Sequence, residues 1–466
     1  MQIDLETLSI QNPWWVSLGG VDRQTTGLKF DPVIESYENS GLDQEPDFLK
    51  ISELVPGRVN VLYGPRGLGK TTFAKLAIKK LIEIEKVNPD NIFYYSCHNL
   101  DTFEQLNEII KIFLKWRQPT KPERLFLFID EISLVKNWQK GMHYLFESGK
   151  FKKTSVVLLV SILDKNILKE KKWLPKIATS LDFGNFLNLI NSSLSKKIKP
   201  SNFLDFQEQL EYYQDIYFLT GGFIPAISEF KNSGSVSQEV YSNYLHWLIA
   251  DIAKLGRDPI LARQIMEEII DNLGQPIGWQ TVAKKTKAKS HATIADYLEI
   301  LESMFALKMV YQLDGKKFST AKAKKVYFRD PFLFWLFYAY IGGALNYWQF
   351  SREKLHRQDV FSLLVENVIF SHLIKDEVLA VWGRRVSYWR SSTKNLAIDF
   401  VVNCGKKVCP ILIRYHKKIR EQDRLIFKKA GFKKGIIISN KELDLFGSIK
   451  IMPLTYFLMF YKEILK

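Results

Sequence analysis

Nine residues, Gly64-Pro65-Arg66-Gly67-Leu68-Gly69-Lys70-Thr71-Thr72, contain the pattern G-x-x-x-x-G-K-[ST], and their types suit one chemistry. Glycines at 64, 67 and 69 permit positive φ, so the backbone N–H groups of the loop can turn inward around a phosphate, with Pro65, Arg66 and Leu68 filling the positions between. Lys70 reaches the β- and γ-phosphates and Thr71 ligates Mg²⁺, while the helix that opens here and runs through Thr72 presents its positive N-terminus to the same anion. The apolar run Val59–Tyr63 precedes the loop as a strand, and a helical stretch to about Lys86 follows it. The sequence therefore predicts binding of a nucleoside triphosphate, ATP, with Mg²⁺.

A second constellation, Leu125-Phe126-Leu127-Phe128-Ile129-Asp130-Glu131, is a continuous apolar run ending in two acids. Such a run reads as a strand covered on both faces of a parallel sheet. Two adjacent carboxylates are expensive there unless they have partners. Beside a bound triphosphate they have work: Asp130 to hold Mg²⁺, Glu131 to orient the attacking water and take its proton. A third apolar run, Ser155–Val160, ends at Ser161, whose hydroxyl is placed to sense the γ-phosphate from between the other two strands.

These residues need a scaffold, and the alternation of strands at 59–63, 91–97, 124–130 and 155–160 with helical segments predicts an α/β fold with a parallel sheet. At 466 residues the length suggests about three domains. Five segments are expected: a lead-in over 1–50, a nucleotide-binding core over 51–185, a helical lid over 186–258, a winged helix over 259–330 and a last domain over 331–466. Cys97, Cys404 and Cys409 have neither metal spacing nor a paired framework, as expected of a reducing, cytoplasmic location. The N-terminus lacks the regions of a signal peptide, and the apolar stretch Pro331–Leu345 is too short to span a bilayer, so no membrane partner is expected.

The net charge of +16 is unevenly placed. Residues 279–330 carry 11 Lys and Arg against 5 Asp and Glu, residues 351–466 carry 23 against 11, and the remainder carries 32 against 34. A basic excess confined to the C-terminal part suits a polyanion such as double-stranded DNA, the alternative being a solvated lysine-rich surface. From Pro259 the pattern reads as three helices and a hairpin. The third helix opens at Ser290, and Ile294, Leu298, Leu301 and Phe305 form its buried face. Lys287, Lys289 and His291 lie at its start and Lys316 and Lys317 on the hairpin, with Lys322, Lys324 and Lys325 behind, giving a winged helix that either contacts DNA or docks a protein.

Taken together, Asn12-Pro13-Trp14-Trp15, Gly64 to Thr72, Leu125 to Ile132, Thr220-Gly221-Gly222-Phe223 and Lys325 to Pro331 resemble archaeal and bacterial P-loop ATPases of the AAA/STAND-related group. That resemblance covers nearly the whole chain. It implies an ATPase core and lid joined to a winged helix and a restriction-endonuclease-like domain, and it gives Lys70, Thr71, Asp130, Glu131 and Ser161 the roles above. Two departures stand out. Where similar proteins place an arginine pair, this chain reads Leu174-Pro175-Lys176-Ile177-Ala178-Thr179, leaving Lys176, Arg257 or Arg263 as replacements and predicting slow hydrolysis. In the last domain Glu366 and Asp399 resemble nuclease acids, but Leu412 and Arg414 stand where a second strand acid and a lysine belong, so cleavage is not expected. The expected function is an ATPase whose nucleotide state controls DNA binding, in a protein that can form homo-oligomers. The alternatives are an ATP-gated nuclease and a protein-docking regulator.

Overall fold

The computed structural model describes residues 4–15, 31–42, 45–46, 48–120, 124–163, 173–315, 317–375, 386–391, 393–394, 396–404 and 407–465. The chain forms two compact units, 1–179 and 180–466.

The first unit is built on a five-stranded sheet in the order β2-β3-β4-β1-β5, with β1 Arg58–Tyr63, β2 Ile92–Ser96, β3 Leu125–Asp130, β4 Thr154–Val160 and β5 Trp173–Ile177. Every pairing is parallel. Each residue of β3 and β4 is buried, as continuous apolar runs require. Three helices connect strands: α1 Lys70–Glu83, α2 Phe103–Arg117 and α3 Trp138–Glu147. The fifth strand goes beyond the four expected. Pro175 argues against a strand there, but β5 lies at the sheet edge and pairs only with β1, where a residue without an N–H is tolerated.

The opposite edge, β2, is closed by side chains of the N-terminal segment. Asn12 accepts from the Tyr94 N–H at 2.7 Å and donates to the Tyr94 carbonyl at 3.0 Å. Both Trp14 and Trp15 donate their indole N–H to the Ile92 carbonyl, and Gln11 accepts from the Ser96 N–H. Outward-facing backbone groups of an edge strand are thereby used up, which blocks pairing with another chain. Trp15 also stacks on Phe93 and Phe113.

The second unit begins with helices, among them α4 Phe183–Ile190 and α5 Gln207–Thr220, and continues through α6 Pro259–Asp271, α7 Trp279–Lys285 and α8 His291–Ser303. Ser290 caps α8 by accepting from the Thr293 N–H. The antiparallel hairpin β6 Leu307–Asp314 and β7 Lys317–Phe328 follows, and Ile277 bridges to Lys324 between α6 and α7. This hairpin belongs to a seven-stranded mixed sheet, β12-β11-β10-β9-β8-β6-β7, because β6 pairs in parallel with β8 Val386–Arg390. The other strands are β9 Ala397–Cys404, β10 Lys407–Ile413, β11 Gly435–Ser439 and β12 Ile449–Pro453. The expected boundary at 330/331 thus falls inside one sheet. Helix α9, Pro331–Ile341, is buried nearly throughout, and no helix among the described residues is long and apolar enough to cross a membrane.

The Lys325 to Pro331 motif holds this unit together. Along β7, Lys325 and Tyr327 point to Glu366 on α10, Gln358–Leu373: the Lys325 ammonium donates to Oε1 at 2.9 Å and the Tyr327 hydroxyl donates to the same oxygen. Lys325 is therefore an internal ion-pair partner and not part of a basic surface, which corrects the expectation that grouped it with Lys322 and Lys324. Asp330 caps α9 and accepts from the Gly222 N–H at 3.1 Å. A Cβ on Gly222 would lie 2.0 Å from the Leu181 carbonyl oxygen, so only glycine lets these segments meet. The Leu181 carbonyl in turn accepts from the buried Lys375 ammonium and from the Tyr217 hydroxyl.

His372 on α10 accepts the Phe183 N–H at its Nε2, so its Nδ1 carries the proton and donates to the Val368 carbonyl. Burial, reinforced by the nearby Lys375 ammonium, pushes its pKa from 6.5 down to about 3, against the pull of Asp182. The unfolded chain binds a proton at this histidine below about pH 6.5 while the folded chain does not, so stability falls as pH drops from 6.5 toward 3. The unfolding free energy is expected to decline on the order of 1 kcal/mol per pH unit from this histidine once below pH 6.5. Much of that slope is expected to be missing from His372→Gln, measured by urea unfolding at each pH.

Candidate functional site

Strand order decides which residues meet. Because β4 lies between β3 and β1, Ser161 emerges between Asp130 at the end of β3 and the loop after β1. The loop delivers Gly69 as the N-cap of α1 at φ +82°, a left-handed conformation that glycine adopts without cost, and Lys70 and Thr71 open the helix. Lys70 is buried and folds over the loop, donating to the carbonyls of Gly64 and Pro65, both at 2.8 Å. The Thr71 hydroxyl donates to Asp130 Oδ2 at 2.6 Å.

The acids are buried side by side. Asp130 Oδ2 also accepts from the Tyr94 hydroxyl at 2.9 Å, while Oδ1 accepts from the Glu131 N–H. Burial, and then the Glu131 charge, raises the pKa of Asp130, opposed by the Thr71 and Tyr94 hydrogen bonds and the Lys70 charge. Glu131 sits at φ +53°, an uncommon conformation for a non-glycine residue, of the sort stored at functional sites at a cost of about 1–3 kcal/mol. Its Oε1 accepts from the Ser161 hydroxyl at 2.9 Å. Oε2 is buried, makes no hydrogen bond among the described residues and faces the Arg66 guanidinium at 3.5 Å. Arg66 Nη1 also donates to His98 Nε2 at 3.2 Å, which leaves His98 Nδ1 to donate to Ser96 Oγ at 2.7 Å.

The structure therefore brings together Lys70, Thr71, Asp130, Glu131 and Ser161. The donor set suits Mg²⁺ in its usual form, in which one or two protein oxygens combine with substrate phosphates and water: Thr71 Oγ1 and Asp130 Oδ2 converge, and a cation there would relieve the repulsion between the paired acids. Among the described residues no group of three or more His, Cys, Asp or Glu is placed to hold a metal without such help.

Two residues of the site escape the sequence reading, and one expected residue has a partner that it did not foresee. Tyr94 and Lys75 support Asp130 from β2 and α1, with the Lys75 ammonium 3.9 Å from the Tyr94 ring centroid and 2.9 Å from Asp31 Oδ2. Arg66, expected as a nucleotide-binding residue of the loop, pairs with Glu131. A polar hydroxyl in the apolar strand Ile92-Phe93-Tyr94 is the one signal that would have pointed to Tyr94.

The replacement cations are engaged elsewhere: Lys176 with Glu53 at 2.6 Å, Arg257 with Asp296 at 2.7 Å and Arg263 over the Tyr340 ring. In the second unit, Glu366 is held by Lys325 and Tyr327, and Asp399 Oδ2 accepts from the Ile413 N–H at 2.8 Å. Leu412 belongs to an apolar core with Ile398, Phe427 and Ile437. Arg414 binds Asp423 at 2.6 Å. Lys287, Lys289, His291 and Lys317 are exposed, and Lys316 lies outside the described residues.

Residues 56–182 match the family model AAA_14, an AAA domain. Residues 211–337 and 361–457 match two domains of unknown function, DUF8612 and DUF4143. An uncharacterized protein of Haemophilus influenzae is 22% identical over 401 residues, covering 82% of this chain and 89% of that protein. The uncharacterized protein MJ1544 of Methanocaldococcus jannaschii is 23% identical over 399 residues, 81% of this chain and 80% of that protein. Among solved structures, a variant of Thermotoga maritima RuvB is 18% identical with a TM-score of 0.29, over 62% of this chain and 89% of that one. A STAND protein with a tetratricopeptide repeat sensor from Pyrococcus horikoshii is 14% identical with a TM-score of 0.27, over 72% and 46%.

Lys70→Ala removes the ammonium placed over the loop, and ATP affinity is expected to fall at least about tenfold, the loss of a charge-assisted hydrogen bond. Titration of a fluorescent ATP analogue measures this, with an unchanged far-ultraviolet circular dichroism spectrum showing that the fold is kept.

Proposed function

We propose that this protein is a Mg²⁺-dependent ATPase whose nucleotide state controls a DNA-binding winged helix, beside a nuclease-like domain that does not cut. One observation carries the ATPase reading: Lys70, Thr71, Asp130, Glu131 and Ser161, from a loop and two strands far apart in sequence, converge at the carboxyl end of one parallel sheet. The loop N–H groups and Lys70 hold the phosphates in line. Water attacks the γ-phosphorus, the bond to the β–γ bridging oxygen breaks, and Glu131 takes the proton while Ser161 keeps its carboxylate turned. Mg²⁺, when bound at Thr71 and Asp130, neutralises phosphate charge. Without an arginine at 176–179, turnover is slow.

Support for DNA binding comes from exposure of Lys287, Lys289 and His291 at the start of α8 and of Lys317 on the hairpin, within the basic part of the chain. Against cleavage stand Glu366 paired with Lys325, the Asp399 carboxylate bonded to main chain, and Leu412 in an apolar core. A buried apolar side chain supplies no metal ligand.

Glu131→Gln is expected to bind Mg-ATP at least as well as wild type and lose at least about a hundredfold in turnover, because the proton acceptor is removed. Steady-state phosphate release tests this, and an unchanged rate would exclude Glu131 as the base. Full-length protein is expected to bind duplex DNA with affinity that falls steeply with salt. Neutralising Lys287, Lys289, Lys316 and Lys317 together is expected to flatten that salt slope, as read by fluorescence anisotropy at several salt concentrations. Plasmid incubated with Mg²⁺ or Mn²⁺ is expected to stay intact with or without ATP.

A further inference from the structure

Glu131 has one carboxylate oxygen committed and one contested. Oε1 accepts from Ser161, so the oxygen left to take a proton from water is Oε2. That oxygen faces the guanidinium of Arg66 at 3.5 Å, and the two side chains are only 12% and 8% exposed, so solvent screens the pair weakly. Arg66 is thus a competitor for the atom the reaction needs. It is also a member of the loop that wraps the phosphates, two residues beyond Gly64, and its charge already lies beside the group that must flank a γ-phosphate. His98 supports the guanidinium from the far side through Nη1, and Ser96 fixes the His98 ring, so the arginine is held at the site by contacts on two sides.

A γ-phosphate offers this guanidinium a denser negative charge than one carboxylate does, with oxygens spaced for bidentate contact. A diphosphate ends one phosphate short of Glu131 and makes no such offer. We propose that Arg66 is the residue by which this site distinguishes a triphosphate from a diphosphate: it rests on Glu131 until a γ-phosphate draws it away, and that movement releases Oε2 for the attacking water. Arg66 so couples occupancy of the γ-position to availability of the base. It supplies in cis part of the role of the arginine pair that residues 174–179 lack. The proposal rests on the ATPase reading above and adds to it a specificity determinant.

The test is a binding measurement on the full chain. Calorimetric titrations with Mg-ADP and with the non-hydrolysable β,γ-imido analogue of Mg-ATP are run on wild type, Arg66→Ala, Arg66→Lys, Glu131→Gln and the Arg66→Ala/Glu131→Gln double variant. Arg66→Ala is expected to weaken the triphosphate analogue about tenfold, the scale of one charge-assisted hydrogen bond, and to leave ADP within about twofold. Arg66→Lys keeps the charge without the planar fork and is expected to recover only part of the loss, while guarding against misfolding of the alanine variant. Glu131→Gln removes the resting partner and is expected to tighten the triphosphate analogue, a gain that vanishes in the double variant. Equal losses for both nucleotides, no loss for either, or a Glu131→Gln gain that survives without Arg66 would each overturn the proposal and leave the ATPase reading standing. Wild-type protein that binds neither nucleotide would remove both.

Discussion

Two carboxylates, Asp130 and Glu131, are buried next to each other at the end of β3, and the arrangement of the first unit follows from what that costs. Removing one ion from water into a protein interior costs several kcal/mol even after relaxation, and two like charges raise the cost further. Each oxygen has therefore been given a partner. Asp130 takes hydrogen bonds from Thr71 and Tyr94, Glu131 takes one from Ser161, and Arg66 faces its remaining oxygen. Partners come from β2, from the end of β4 and from the loop after β1. Only a strand order that places β3 between β2 and β4, with β1 beyond, brings all three within reach.

The N-terminal segment belongs to this support. Asp31 holds the Lys75 ammonium, which lies over the Tyr94 ring, and Tyr94 donates to Asp130. Burial lowers the pKa of Lys75, and the Asp31 and Asp130 charges oppose that shift. The same segment fixes β2 through Asn12, Trp14 and Trp15, so the strand carrying Tyr94 cannot slide. Residues long before the phosphate loop in sequence thus set the position of a carboxylate beyond it.

What could be read from the sequence was what has local periodicity. The loop, the helix after it, the buried strands β3 and β4, the serine after β4 and the cap at Ser290 each leave a pattern within a few residues, and the structure places all of them where that pattern says. Contacts made at long range leave none. Arg66 looks like any residue tolerated at a variable loop position, and its pairing with Glu131 depends on how two strand ends are spaced. β5 was hidden because Pro175 speaks against a strand, and edge location, which excuses it, is a property of the sheet and not of the segment. Lys325 misled for the same reason: a lysine in a basic run reads as surface until the fold shows Glu366 across from it.

Both units face the problem of buried acids, and they solve it differently. In the first, Arg66 sits on a glycine-containing loop and Lys70 at the start of α1, held by the Glu131 carboxylate and by the Gly64 and Pro65 carbonyls of that loop. In the second, Lys325 reaches Glu366 from the middle of a β-strand, Tyr327 closes over the same oxygen, and the Ile413 N–H takes Asp399. The charges of Glu366 and Asp399 raise the pKa of Lys325 against the effect of burial, so its ammonium is kept. Removing either member of such a pair strands the other at a cost of about 3–5 kcal/mol. A cation fixed on a strand cannot be exchanged for a ligand without unpicking the sheet, whereas a cation on a loop can. That difference in where the positive charge is anchored separates the two sites: near a loop and a helix start in the first, and on a strand whose ion pair ties β7 to α10 in the second.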